Sequence, residues 1–264
     1  MKLIDVTIGA DPELFIINTT TNKVVSAVGL IPGVKGKPWK PNRMRKGFGL
    51  ETDNILAEFN IPPVKNCNDF INHIQTMKSY IDKYVKMKNK ELGILCSASQ
   101  EVPESELQSK EARMFGCDID YNVYTQKPNE KPNGKDTNLR SAGFHIHVGY
   151  KNPNIETNLQ IIKYLDAYVG LPSLLEDSDA KRRILYGKAG SFRVCPYGCE
   201  YRTLSSAMMR DEVLLRFIWD QIHKGLQALE MGKLLPTEEE VINAINNSDV
   251  ELCKKLCFDY CLLL

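Results

Sequence analysis

The sequence predicts an α+β fold in which an antiparallel sheet carries helices against one face and ends in a helical C-terminal segment. Three observations lead there. Strand-like runs of period two occur at scattered places, in VTIGADPELF, LAEFN, FHIHVGY and CEYR. Helix-period segments fall between them without strict β-α alternation, which argues against parallel crossover units. From Asp211 onward the pattern is helical to the last residue. With 264 residues, 43% of them hydrophobic, the chain can build a sizeable core, and no repeat, low-complexity tract or linker divides it. A single domain over 1–264 is expected, with a core of about 1–210 and a helical part of about 211–264.

Taken in order, VTIGADPELFIINTTTNKVVSAVG reads as a hairpin turning at TTTNK. IPGVKGKPWKPNRMRKGFG is too rich in glycine, proline, lysine and arginine for regular structure; it is a basic loop, either a lid over an anionic ligand or a solvated segment. In ETDNILAEFNIPP, alternation puts Ile55, Ala57 and Phe59 on one face and Asn54, Leu56, Glu58 and Asn60 on the other, with Pro62 and Pro63 ending the strand. Residues 67–90 carry apolar side chains at 70, 71, 74, 77, 81 and 84–85, the spacing of an amphipathic helix, with Asn68 or Asp69 as its N-cap. Residues 116–138 are polar and irregular, and 142–150 form the next strand. NIETNLQIIKYLDAYVGLPSLLED gives a helix broken at its proline, and RRILYGKAGSFRVCPYGCEYRTLSS gives two short strands. DEVLLRFIWDQIHKGLQALEMG, PTEEEVINAINNSD and VELCKKLCFDYCLLL are helical, with Pro236-Thr237 before a run of glutamates marking a helix start.

A formal net charge of +1 gives no bulk attraction to nucleic acid or to an anionic membrane, so neither is expected as a partner. No apolar run approaches the roughly 20 residues that cross a bilayer, and MKLIDVTIGADPELF lacks the basic-then-apolar layout of a secretory signal. A cytoplasmic protein is therefore expected. The eight cysteines show no CxxC spacing and read as reduced thiols. Cys195 and Cys199 in CPYGC have no second pair to complete a zinc site, and Cys253, Cys257 and Cys261 recur every four residues, as core positions of one helix face do.

The chemistry centres on RSAGFHIHVGY. In a strand Phe144, Ile146 and Val148 enter the core, while His145 and His147 share the opposite face. If the strands pair into one sheet, that face also collects Asp11 and Glu13 from GADPELF, Glu58 from LAEFN, and Glu200 and Arg202 from CEYR. Four neighbouring carboxylates repel unless cations sit among them, and hard oxygen donors favour magnesium over zinc. RRILYGKAGSFR adds Arg182, Arg183, Lys188 and Arg193 around two glycines, and arginine suits bidentate recognition of phosphate or carboxylate. The spacing is not that of a P-loop. The combination suggests a magnesium nucleotide with an anionic co-substrate.

GADPELF, DNILAEFNIPP, GCDIDYNVY, LRSAGFHIHVGY, RRILYGKAGSFR and YGCEYRTLSS, in this order, resemble the phage and bacterial carboxylate-amine (COOH.NH2) ligases of the glutamine synthetase and gamma-glutamylcysteine ligase superfamily, over about residues 1–210. The resemblance implies a sheet curved around a funnel that holds ATP and two or three magnesium ions. Its first-strand acidic pair, usually Glu-x-Glu, corresponds to Asp11 and Glu13, the first being one methylene shorter here. Glu58, His147 rather than His145, and Glu200 complete the implied metal ligands, and Asp53 is a further candidate ligand at an awkward offset from Glu58.

The implied reaction activates a substrate carboxylate as an acyl phosphate, which an amine converts to an amide. Arg193 and Arg202 would stabilise the transferred phosphoryl group, and Asp118 or Asp120 would take the amine proton. Lys35, Lys37, Arg183, Lys188, Arg193 and His145 are expected around the nucleotide. The partners are then small-molecule or peptide carboxylates and amines, met in the host cytoplasm if the chain is phage-encoded. Competing readings are a guanidino-kinase-like phosphotransferase on a related sheet, a zinc hydrolase using His145, His147 and a carboxylate, and a non-catalytic protein docking an acidic partner on its basic loop.

Overall fold

The computed structural model describes residues 2–41, 46–113, 120–130 and 137–263. The first half of the chain forms β1 (Thr7–Asn18), β2 (Lys23–Val25), β3 (Gly49–Asp53), β4 (Leu56–Val64), α1 (Cys67–Lys88), β5 (Leu92–Leu95), β6 (Ser99–Glu101), α2 (Lys110–Arg113) and β7 (Tyr121–Asn122). Then follow β8 (Leu139–Ser141), β9 (Phe144–Gly149), α3 (Ile155–Leu165), α4 (Leu171–Ser173), α5 (Ala180–Leu185), β10 (Ser191–Cys195), β11 (Gly198–Tyr201), α6 (Glu212–Met231), α7 (Glu238–Asn246) and α8 (Val250–Asp259). This is an α+β architecture with a helical C-terminus.

Among the described residues the main sheet has nine strands, in the order β3-β4-β1-β9-β11-β10-β7 with β2 and β5 flanking the second half of β1, and their pairings are antiparallel. Strand β1 is central because its twelve residues serve two sets of neighbours. Its even-numbered residues Ile8, Ala10, Leu14 and Ile16 enter one core with Phe59 and Ile61 of β4, Ile146 and Val148 of β9, Phe70 and Ile74 of α1, Ile161 of α3 and Ile218 of α6. Each such side chain, fully buried, contributes roughly 1.5–3 kcal/mol. The opposite face is polar around Asp11 and Glu13, whereas further along β1 Phe15 packs there into a second apolar cluster with Val24, Leu56 and Leu107.

The hairpin read at TTTNK is present, with Asn18 opposite Lys23 and Asn22 in the left-handed region at φ 53°. The single strand read in ETDNILAEFN is instead a second hairpin. Asn54 takes φ 56°, Asp53 pairs with Leu56, and Glu51 pairs with Glu58. Pro62 and Pro63 do not end β4, which runs on to Val64. The register against β1 shifts between Ile8 and Ala10, so the prolines lie where the ladder is already irregular and no amide donor is required.

Helix α1 is capped by Asn66, whose side chain accepts from the Asp69 amide at 2.9 Å, rather than by Asn68 or Asp69; Asp69 supplies first-turn acidity instead. The helix read as broken at its proline continues. A π-turn over Asp166–Gly170 leads into α4, and the Tyr168 carbonyl, to which Pro172 has no N–H to donate, accepts from the buried Gln221 amide at 2.9 Å. The start read at Pro236-Thr237 is a full capping box between Thr237 and Glu240. The described cysteines are free thiols, and no helix among the described residues is long and apolar enough to cross a membrane.

Candidate functional site

On the polar face, strand register sets the neighbours. Glu58 lies between Glu13 and Glu51, Asp11 opposes His145, His147 lies between Gly9 and Glu200, and Glu200 opposes Arg193. Carboxylate oxygens of Glu13, Asp53 and Glu58 all come within 4.8 Å of one another. Asp53 joins because the Asn54 turn folds it back beside Glu58. On a single strand, residues 53 and 58 would have pointed to opposite faces, which is why the pattern alone left it at an awkward offset.

This cluster carries an electrostatic load. Burial and then Asp53 raise the Glu13 carboxyl above its ordinary range, against the 2.6 Å hydrogen bond donated by the Gly143 amide. Burial, then Glu13, Asp53 and Asp11, push Glu58 well above it, and burial raises Glu51. Lys35 reaches in from the basic loop and sets its Nζ 2.5 Å from Asp53 Oδ2. Two buried oxygens, Asp53 Oδ1 and Glu51 Oε2, have no hydrogen-bond partner. They border a cavity of about 450 Å³ whose walls include Asp11, Glu58, Glu200, Arg193 and Arg202.

Glu200 is buried and paired twice. Its Oε2 accepts from Arg193 Nη1 at 3.0 Å, and its Oε1 accepts from Arg202 Nη1. His145 Nδ1 lies 3.5 Å from Glu200 Oε1 and 3.4 Å from Arg202 Nη1. Burial, then Arg202, Arg182 and Arg193, hold its pKa well below the usual imidazole value, so it is neutral at pH 7. His147 faces away from that group. Its Nε2 is 3.0 Å from Asp11 Oδ2, its Nδ1 meets the Tyr197 hydroxyl, and its ring stacks on Tyr197 at 5.8 Å. Burial opposes its charge, but the hydrogen bond and charge of Asp11 together with the charge of Glu200 raise its pKa. The two imidazoles therefore serve different neighbours. Among the described residues, the group placed to hold a metal is all carboxylate and contains neither histidine.

Behind His145 lies a second, smaller cavity bordered by Glu13, Asp53, Arg140, Arg182 and Arg202. Arg182 donates from Nη1 to Ala142 O at 3.0 Å and from Nη2 to Leu204 O at 2.8 Å, while its buried Nε has no partner. Burial and Arg183 pull its pKa down to about 10. Arg183 turns the other way and binds the Thr203 carbonyl at 2.8 Å and that of Gly187. Asp120 borders this cavity and a third one that it shares with Lys188, and its side chain accepts from Asn129 at 3.1 Å. Lys37 is exposed and borders none of these cavities. Asp118 lies outside the described residues.

Residues 135–253 match the family model of phage phiEco32-like COOH.NH2 ligase-type 2. Over that stretch the chain is similar to a family described as ligases that join a carboxylate and an amine. The curated proteins contain no match to the chain. The ligase match takes in the histidine strand β9, Arg182, Arg193, Glu200 and Arg202, whereas Asp11, Glu13, Asp53 and Glu58 precede it.

Sequence reasoning passed over Arg182 in favour of Arg183, and it did not single out Glu51, Arg140 or Tyr197 as part of the site. Glu51 was legible in principle, since it shares parity with Asp53 once the second hairpin is drawn. Adjacent arginines on a short helix point about 100° apart, and nothing local says which of them meets the cavity.

Proposed function

We propose that the protein is an ATP- and magnesium-dependent carboxylate-amine ligase that works through an acyl phosphate on its acid substrate. The observation that carries this reading is the cluster of buried Glu13 and Asp53 with half-buried Glu58, and its unpartnered Asp53 Oδ1. A donor set made only of carboxylate oxygens fits magnesium, which dehydrates reluctantly and shares its coordination among a few carboxylates, water and phosphate. Glu13, Asp53 and Glu58 would hold the ion, with Asp11 and Glu51 at its margin. Bound there, magnesium supplies positive charge to the triphosphate.

The chain's own residues do the rest. Arg193 and Arg202, already fixed by Glu200, present guanidinium groups to the main cavity and neutralise charge on the transferred phosphoryl group. The smaller cavity, with Arg182 and Arg202 on its wall, receives a substrate carboxylate and keeps it beside the acidic cluster. One carboxylate oxygen attacks the γ-phosphorus and ADP leaves. The amine lone pair then attacks the acyl carbon, phosphate leaves with the C–O bonding pair, and Asp120 accepts the amine proton at the cavity edge.

Calorimetric titration of ATP, once with magnesium and once with chelator, tests the reading. Binding that requires magnesium is expected, followed by magnesium-dependent ADP release in screens of acid and amine pairs. Glu200→Gln is expected to abolish that release while keeping the circular dichroism of the fold. Absence of binding in both buffers, or a fully active Glu200→Gln, overturns the assignment.

A further inference from the structure

Lys35 occupies an unusual place. It stands on a tight turn in which the Lys37 amide donates to Val34 O at 2.8 Å, and the turn is stitched to β3 by bridges from Val34 to Thr52 and from Trp39 to Leu50. Gly33 at φ 87° and Gly36 at φ 77° give the backbone the left-handed steps this path needs. A Cβ on Gly33 would also collide with the backbone of Trp39 and Leu50, so the approach to β3 depends on glycine there. The lysine is thus delivered by an anchored turn. Its side chain is 38% exposed, while that of Asp53, its partner, is 7% exposed. Its charge also bears on Glu51 and Glu58.

One buried carboxylate therefore gives one oxygen to an ammonium and holds the other, Oδ1, without a partner. An ammonium and a divalent ion both demand that Asp53 face them, and their like charges make close joint occupancy unfavourable. From this we infer that Lys35 is an internal stand-in for the cation: magnesium arriving at Glu13, Asp53 and Glu58 displaces it from Asp53, and the freed ammonium, still held over the cavity by its turn, binds the anion that accompanies the metal. The inference rests on the ligase reading, and it gives Lys35 opposite effects on two ligands. It weakens the binding of magnesium alone by competition and strengthens the binding of magnesium nucleotide by contact. A lysine that merely braced the loop would move both affinities in one direction.

The test is titration calorimetry on the full chain with magnesium chloride alone and then with MgATP. For Lys35→Met, magnesium alone is expected to bind about five- to tenfold more tightly, and MgATP to bind more weakly by a similar factor. Lys35→Arg, which keeps the charge, is expected to behave as the wild type toward magnesium alone. In the wild-type chain, the Lys35 Nζ resonance is expected to shift on addition of magnesium, a readout that needs no variant. A Lys35→Met chain that binds magnesium no more tightly, or MgATP no more weakly, overturns the inference while wild-type binding of both ligands leaves the ligase reading standing. A wild type that binds neither ligand ends both.

Discussion

Glu58→Gln is expected to make the metal-free protein more stable. Glu58 faces Glu13 and Glu51 on the neighbouring strands and Asp53 across the cluster, and burial together with these anions pushes its carboxyl well above the ordinary value of 4.5. The sign follows from linkage. A carboxyl whose pKa is raised by folding favours the fold while it is protonated, and that contribution disappears as pH climbs from the ordinary value through the folded one. At pH 7 the group can always take up a proton instead of staying charged, so its cost is capped by the span from 4.5 to 7, or roughly 3.4 kcal/mol. Lys35 and the exposure of the carboxyl to the cavity offset part of this, which leaves an expected gain of about 1–2 kcal/mol for the glutamine variant. Urea denaturation in chelator measures it at pH 7, and repetition near pH 4 should close the gap between the two chains. Addition of magnesium should reverse the order, since the wild type gains from the ion and the variant loses a ligand. A variant less stable than the wild type at pH 7 in chelator would refute the argument that these carboxylates crowd one another.

Three further outcomes are expected. Asp166 accepts from the Tyr124 and Tyr201 hydroxyls at 2.9 and 2.8 Å and from the Gly190 amide, and burial pushes its pKa up from 3.8 to about 6. Relative to Asp166→Asn, the wild type should therefore lose about 2 kcal/mol of stability between pH 4 and pH 7, and parallel denaturation profiles would sink this. Gly198→Ala should cost about 3 kcal/mol in urea denaturation, because Gly198 holds φ 151° and an added Cβ would strike the Val148 carbonyl of β9. Thr237→Ala, which removes the capping box of α7 far from the cavities, should cost about 1 kcal/mol in thermal unfolding and leave ATP binding unchanged.

The alternation in FHIHV, with its apolar residues committed to the core, was enough to put both histidines on the polar face, and the same reasoning placed Asp11, Glu13, Glu58 and Glu200 there. What alternation cannot deliver is the step across a turn. Asn54 at φ 56° reverses the chain after Asp53, and no period in the sequence marks that reversal, so Asp53 could be named but not placed beside Glu58. The prolines of β4 misled for a related reason: a lost donor ends a strand only where the partner strand needs that donor, and the register shift at Ile8 removes the need. The π-turn before Pro172 is likewise sustained by Gln221, about fifty residues further on, a contact no local pattern contains. Helix starts such as Thr237 were readable because capping is local, and the cap of α1 was misplaced by only two residues, since Asn66, Asn68 and Asp69 all carry suitable side chains.

The site has two halves of opposite electrostatic character, and the same substitution should tell them apart. Glu58 is a carboxylate among carboxylates, and removing its charge relieves repulsion. Glu200 is buried between Arg193 and Arg202, with neutral His145 at 3.5 Å, so removing its charge takes away the carboxylate that both guanidinium groups share. Breaking such a pair from one side costs up to 3–5 kcal/mol, and glutamine, which still accepts one hydrogen bond, should bring this to about 2 kcal/mol. Glu58→Gln and Glu200→Gln are therefore expected to shift the denaturation midpoint in chelator in opposite directions although both variants lose magnesium-dependent turnover. Equal destabilisation of the two would mean that packing, rather than charge, governs both positions. Opposite shifts would place the cation requirement in the half of the site built by β1, β3 and β4, leaving the arginines free to meet anionic substrate.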